Sequence, residues 1–309
     1  MSDSNRTLAA QQTGPPVTED RSGLIYGIGA YTLWGVFPIY FRALSEVPPF
    51  TILCHRIVWS ALLLALVVSA RREWGAIWPV LRSPRQILLL SVGAVLIALN
   101  WLIFIYAVSS RQVLQASLGY FINPLFSIAL GMIFLRERLR AWQWLAVIVA
   151  AAAVANQAFR GGDFPWIAVS LAVTFGFYGL VRKKIDINSL HALLVESSLL
   201  VPLSIIALAL LPASHFSRMS WSLLSLSGII TAVPLLMFGA AVRRLKLSTV
   251  GFLQYVGPSL QFAVATVLFG EHIAKAKMVS FFLCWIAIGI YVFDSVLHRS
   301  SPAVADEPD

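Results

Sequence analysis

Charge is what this chain has least of: charged residues fill 12% of its 309 positions, against 59% hydrophobic ones. No water-soluble domain of this length tolerates that balance, which excludes a soluble enzyme or binding module. Cysteine is limited to Cys54 and Cys284, both inside apolar runs, so no disulfide framework organises the fold. The five histidines (His55, His191, His215, His272, His298) fall in separate segments with no His-Glu-x-x-His spacing, so neither a zinc site nor any other metal or cofactor is expected. A Walker-type phosphate loop is missing, so the chain does not drive itself with ATP. A Thr-Val-Gly-Tyr-Gly potassium filter is missing too. Paired intramembrane aspartates, which an aspartyl enzyme would need, are lacking; only Asp294 lies near an apolar run. Enzymatic readings lose their residues one by one, and no enzyme is expected.

Long apolar runs are what the chain has instead. A hydrocarbon core of about 30 Å needs about 20 apolar residues per helix. Ten runs qualify: 24–44, 50–69, 86–109, 113–135, 141–159, 164–181, 189–211, 220–242, 248–270 and 276–297. They predict an all-α integral membrane protein of ten spans with short connections. Residues 1–22 are polar, with Gly14, Pro15 and Pro16, and are expected to form a disordered tail, as are 298–309. The first tail is too polar, and the first span too long, for a cleaved signal peptide, so span 1 is expected to remain as an anchor.

The basic balance, a formal charge of +9, is explained by placement. Alternate connections hold Arg71, Arg72, Arg82 and Arg85; Arg136, Arg138 and Arg140; Arg182, Lys183 and Lys184; Arg243, Arg244 and Lys246. The intervening ones hold only Arg42, Arg111, Arg160, Arg218, Lys275 and Lys277. This is the positive-inside signal, and it predicts that both termini are cytoplasmic. The expected partners are the lipid bilayer and a small-molecule substrate, not nucleic acid; a homodimer is left open.

One apolar hairpin occurs twice. Ser117-Leu-Gly-Tyr-Phe-Ile-Asn-Pro124 leads to Glu137, and Gly251-Phe-Leu-Gln-Tyr-Val-Gly-Pro258 leads to Glu271, at an offset of 134. The same offset sets Asn100 against Pro234, both apt to interrupt or decorate a helix. An offset of 141 pairs Trp34-Gly35 with Phe175-Gly176, and His55 with Glu196. Two five-helix repeats follow, at 23–159 and 164–297. An odd number of spans separates equivalent helices, so the second repeat is inverted, a construction used for alternating access.

Polar side chains inside spans must face other helices or a water-filled path. His55 and Arg56 of span 2 and Glu196 of span 7 are the strongest cases, six or seven residues deep, about 9–10 Å at the helical rise. They are expected to flank a central cavity rather than to form one direct ion pair, with Arg56 as a contact for an anionic group and His55 and Glu196 as proton or substrate-amine partners. Neutralising Glu196 is expected to leave the fold largely intact. Asn100, Asn123, Trp34, Trp101 and Tyr178 are candidate cavity-lining residues, the aromatics forming a cage for rings or cations. Span 4 carries Gln115, Gly119, Asn123, Ser127 and Gly131 at four-residue spacing; the small residues suit close helix approach. Pro124, Pro258 and Pro234 each remove a backbone donor in mid-span. Glu137 is expected to cap the helix that follows it, and Arg182-Lys183-Lys184 to anchor orientation. Trp142, Trp144 and Trp166 read as an interfacial belt.

These residues together resemble the EamA family of the drug/metabolite transporter superfamily, and most closely its RarD branch, over residues 24 to about 298. The resemblance is carried by Trp34-Gly35, His55-Arg56 with Trp59-Ser60, and Asn100-Trp101, and by the run Ala116-Ser-Leu-Gly-Tyr-Phe-Ile-Asn-Pro-Leu125 with Glu137-Arg138. In the second half it continues with Phe177-Tyr-Gly-Leu-Val-Arg-Lys-Lys184, Glu196 and Leu247-Ser-Thr-Val-Gly-Phe-Leu-Gln-Tyr-Val-Gly-Pro258. It implies a bacterial permease of the cytoplasmic (inner or plasma) membrane, with spans 1–4 and 6–9 around a central path and spans 5 and 10 peripheral. Family members often carry Glu where this chain has Gln115, so a titrating group is missing at that position. The branch is named for chloramphenicol sensitivity, which identifies no natural substrate. The expectation is a secondary transporter, most simply an exporter of a small polar or amphipathic metabolite. A passive channel or exchanger of the same fold and a ligand-binding membrane sensor are the alternatives.

Overall fold

The computed structural model describes residues 20–109, 113–158, 166–211, 216–268, 270 and 275–297. The first half of the chain forms α1 (Arg21–Ala43), α2 (Pro49–Ala70), α3 (Trp74–Arg82), α4 (Pro84–Ser109), α5 (Val113–Leu135) and α6 (Ala141–Ala158). The second half forms α7 (Trp166–Lys184), α8 (Ser189–Leu210), α9 (Arg218–Arg244), α10 (Leu247–Leu253), α11 (Val256–Ala263), a π-helical turn (Val264–Leu268) and α12 (Lys275–Leu297). Among the described residues there is no strand. Six of these helices are long and apolar enough to cross a membrane: α1, α2, α4, α8, α9 and α12, while α5 and α6 hold shorter apolar stretches. The architecture is that of an all-helical, multi-pass membrane protein.

Residues 1–19 and 298–309, the bulk of both expected tails, lie outside the described residues, as do Glu271 and the side chain of Gln115. The first helix starts inside the expected N-terminal tail, at Arg21, because Asp20 caps it: Ser22 N–H donates to Asp20 Oδ1 at 3.1 Å, and Ser22 Oγ donates to Oδ2. Those bonds hold the Asp20 carboxyl below its ordinary range. Asn188 and Ser217 cap α8 and α9 in the same way.

Helix α3 lies in what the sequence presents as a plain connection between spans 2 and 3. It is too short to span. It buries Ile77 and Val80, exposes Trp74, Trp78 and Leu81, and sets the Arg82 guanidinium 5.2 Å from the Trp78 ring. This is the make-up of a helix lying at the membrane surface.

The mid-span prolines behave unequally. Helix α5 continues through Pro124 and α9 through Pro234, so neither breaks its helix. The ninth run, expected as one helix, does break, at Gln254–Tyr255. Pro258 has no N–H to offer the Gln254 carbonyl, which accepts instead from Gly257 N–H at 3.2 Å in a tighter turn.

The core forms where helices of the two halves meet: α1 against α9 and α11, α2 against α8 and α9, α4 against α7, and α5 against α7 and α10. Small residues allow this closeness. A Cβ on Gly228 of α9 would come within 2.6 Å of the Trp59 backbone, and one on Gly251 of α10 within 2.8 Å of the Pro124 carbonyl oxygen. Helices α6 and α12 pack chiefly on each other, through Ala146, Ala150, Ala153, Cys284 and Ala287. Arg140 clasps the buried Asp294 across that pair, with Nε 2.7 Å and Nη2 2.5 Å from Oδ2.

Candidate functional site

A cavity of about 280 Å³ opens between the helices of the two halves. Helix α1 contributes Tyr31, Trp34, Phe37, Pro38 and Phe41, α2 contributes Arg56, and α4 contributes Ile97, Asn100, Trp101 and Phe104. Tyr120 and Asn123 come from α5, Leu171 and Phe175 from α7, Leu235 from α9, and Gln254, Gly257, Pro258 and Gln261 from the broken α10–α11 segment. None of these comes from α6 or α12. On α1 and α4 they run from mid-helix toward the ends farther from Asp20, so the cavity lies toward that side.

Arg56 is the cavity's one charged side chain among the described residues. Its Nε donates to Thr231 Oγ1 at 2.8 Å, fixing the plane of the guanidinium. The guanidinium carbon lies 5.2 Å from the Trp101 ring, 5.7 Å from Phe41 and 5.8 Å from Phe37. Among the described residues no carboxylate pairs with it. The aromatic cage is thus occupied in part by the protein's own cation.

The amides divide by function. Asn100 Nδ2 donates to the Leu171 carbonyl at 3.0 Å and to Thr174 Oγ1 at 2.9 Å, tying α4 to α7. Gln254 Nε2 donates to Ser127 Oγ at 2.8 Å, and Gln261 Nε2 to the Trp34 carbonyl at 3.2 Å. Asn123 Oδ1 and Tyr31 Oη are buried at the cavity wall and make no hydrogen bond.

Toward Asp20 the space ends at rings. Trp34 and Phe175 meet edge-on at 5.9 Å, and behind them Tyr178 stacks on Phe238 at 6.0 Å. Beneath that layer lies a buried ion pair: Arg182 Nη1 is 3.4 Å from Glu196 Oε1, and Tyr178 O–H donates to Oε2 at 3.2 Å. Glycines make room for it. A Cβ on Gly93 would stand 2.7 Å from Glu196 Oε1, and one on Gly239 2.5 Å from Arg182 Nη2. A narrow cleft lined by Trp101, Tyr178 and Glu196 adjoins the main cavity.

The same end is fastened by further polar contacts. Glu137 reaches across from the first half to cap α10: Oε1 accepts from Leu247 N–H at 2.6 Å, and Oε2 from Ser248 N–H at 2.9 Å and Ser248 Oγ–H at 2.6 Å. It lies folded over Gly131, whose missing Cβ would stand 2.7 Å from Oε2. Lys183 donates to the Leu245 carbonyl, Arg243 Nη1 to the Ile187 carbonyl at 2.6 Å, and His191 pairs with Glu73 at 2.8 Å.

The sequence-derived set is therefore brought together in part. Trp34, Arg56, Asn100, Trp101, Asn123 and Pro258 line the cavity. Glu196 and Tyr178 lie behind it, in the cleft, and Pro124 and Pro234 act from helix interiors. His55, expected beside the cavity, instead meets Trp221 edge-on at 5.5 Å, because it and Arg56 are adjacent and leave α2 in different directions. Arg182, expected as an orientation anchor, is buried because Glu196 neutralises it. Glu137, expected to cap the next helix, caps one 110 residues ahead. Reading the sequence missed Phe37 and Gln261 as wall residues; the aromatic face of span 1 carries Tyr31 and Trp34 with them.

The sequence profile of the EamA-like transporter family matches residues 21–156. Protein RarD of Escherichia coli is 45% identical over 284 residues, covering 90% of this chain and 96% of the relative. An uncharacterized transporter of Bacillus subtilis, YojE, is 38% identical over 90% of this chain and 96% of its own length. The chloramphenicol-sensitive protein RarD of Pseudomonas aeruginosa is 30% identical over 88% and 94%. A solved crystal structure 17% identical in sequence superposes with a TM-score of 0.70 over 90% of this chain and 99% of that one, which extends the likeness to the fold. With a membrane-crossing helical fold, a cavity between its halves and relatives of this identity over nearly their whole length, the chain belongs to the EamA-like transporter family, in its RarD-like branch.

Proposed function

We propose that this protein is a secondary transporter that exports a small amphipathic metabolite across the bacterial cytoplasmic membrane by alternating access, with both termini cytoplasmic. The observation that carries the proposal is the cavity itself, walled by helices of both halves and shut at one end by Glu137, Arg182, Glu196 and the Tyr178–Phe238 stack. The positive-inside charges support a cytoplasmic location for that shut end, which makes this an outward-facing state.

Ten spans and two inverted repeats account for the packing. Counting α5, α6, α7 and the α10–α11–π segment with the six longer apolar helices makes ten. At the repeat offsets, α1 on α9 corresponds to α7 on α4, and α1 on α11 to α7 on α5. Three further pairs, α2 with α8, α5 with α10 and α6 with α12, join a helix to its own counterpart. Tyr255 O–H donates to the carbonyl of Phe121, its equivalent at the offset of 134, at 3.4 Å. Opening the other way requires parting the polar and aromatic contacts at the shut end, and leaves the α6–α12 pair undisturbed.

The test is counterflow. Purified protein in liposomes preloaded with each member of a panel of unlabelled metabolites, with chloramphenicol included, is given a trace of the labelled compound outside. A carrier gives a transient overshoot of label. A channel gives only equilibration, and a sensor gives binding without flux; either result refutes the proposal.

A further inference from the structure

We infer that the cavity takes small organic monoanions: one carboxylate or sulfonate head, a flat apolar body and one hydrogen-bond donor. The inference rests on the transporter reading of the same site and names its substrate class.

The first argument is charge. Arg56 brings one positive charge to the cavity wall, and among the described residues no acidic side chain lines the cavity or pairs with that guanidinium. The rings of Phe37, Phe41 and Trp101 face it but leave its charge uncancelled. A monoanion brings the site to neutrality. A zwitterion leaves it positive, a dianion makes it negative, and a cation doubles the charge. In a membrane interior each uncompensated charge is penalised, so the order of preference follows from the count.

Geometry is the second argument. Thr231 Oγ1 takes Nε at 2.8 Å, and among the described residues nothing is bonded to the Nη donors. A guanidinium oriented in this way suits the two oxygens of a carboxylate.

The third concerns the rest of the ligand. Asn123 Oδ1 is a buried acceptor with no donor, and Tyr31 Oη a buried hydroxyl with no partner, both in residues of the cavity wall. Buried polar atoms of this kind are ordinarily satisfied; a small turn of the Asn123 side chain, which lines the cavity, would bring Oδ1 to a ligand hydroxyl or amide N–H. The rings of Trp34 and Phe175, which line the cavity, suit a planar body. A volume of about 280 Å³ is at the lower edge of the range for ligand pockets, which suits a body of one ring.

The experiment is equilibrium binding of labelled 4-hydroxybenzoate to the full chain in lipid nanodiscs. Competitors of matched shape are benzoate, tyrosine, tyramine, phthalate and 4-hydroxybenzamide. Saturable binding is expected, with benzoate competing and the zwitterion, cation, dianion and neutral amide each weaker by about tenfold or more. Arg56→Gln is expected to lose binding by a similar factor, and Arg56→Lys to retain part of it. If Arg56→Gln does not fold, the order of the competitors and the Arg56→Lys variant still decide. Tyrosine or tyramine binding as tightly as 4-hydroxybenzoate, binding unchanged in Arg56→Gln, or no saturable binding of either monoanion would overturn the inference. Monoanion binding without counterflow would instead refute transport while the ligand class stands. Counterflow of a zwitterion or cation, with no monoanion binding, would refute the ligand class alone.

Discussion

Arg182 Nη1 and Glu196 Oε1 lie 3.4 Å apart, and neither side chain reaches solvent. Two opposite charges sealed together tolerate each other; one left alone does not. Glu196→Gln is therefore expected to cost about 3–5 kcal/mol, the penalty of stranding a buried partner. The sequence by itself suggests a mild substitution; Arg182 reverses that. Removing both, as Arg182→Met with Glu196→Leu, should recover most of the loss. Thermal unfolding in mild detergent measures it, and an unchanged midpoint for Glu196→Gln would mean the pair is not formed.

The clamp from Glu137 to α10 should hold the shut end closed. Its bonds are charge-assisted, worth about 1.5–3 kcal/mol each. In a background lacking Cys54 and Cys284, Glu137→Ala is expected to raise the labelling of a cysteine at Val250, which is fully buried, by a membrane-impermeant maleimide. Labelling as slow as with Glu137 intact would show that the end is held by something else.

Close approach at Gly228 gives a steric test. A Cβ there meets the Trp59 backbone at 2.6 Å, whereas one on Gly75 meets nothing within 4 Å. Gly228→Ala should destabilise by about 1–3 kcal/mol, the usual cost of overpacking, while Gly75→Ala should not. Equal midpoints for the two variants would contradict the α2–α9 contact.

Topology can be read from two positions at the same end of the molecule. Single cysteines at Arg71 and Asp186, both exposed, should each react from the cytoplasmic side. Reaction of the two from opposite sides would break the inverted arrangement.

Much of the fold is legible in the sequence, because span length and apolar composition depend on the bilayer rather than on neighbours. Trp34, Arg56, Asn100, Trp101 and Asn123 were also legible, since polar or aromatic groups in mid-span must turn inward. What stayed hidden were partners. In helices apolar all round, the lipid-facing and core-facing sides look alike, so rotation about the axis is not written in the pattern; His55 turning to Trp221 is the result. Arg182 reads as one member of a basic run until Glu196, from the next helix, is found against it. Glu137 has its partner 110 residues ahead, beyond the reach of any local capping rule. The break at Gln254–Tyr255 is signalled by Pro258, but Pro124 and Pro234 give the same signal in helices that continue.

The bond from Tyr255 to Phe121 has a consequence for how such a molecule could move. With the repeats related as proposed, it joins a residue to its own counterpart, at the place where exchanging the two halves changes least. A seesaw needs one point that stays still. The hydroxyl–carbonyl contact, set against the broken α10–α11 segment, is suited to be that fulcrum, and the wider the halves swing at the Glu137 and Phe41 ends, the less this contact has to travel.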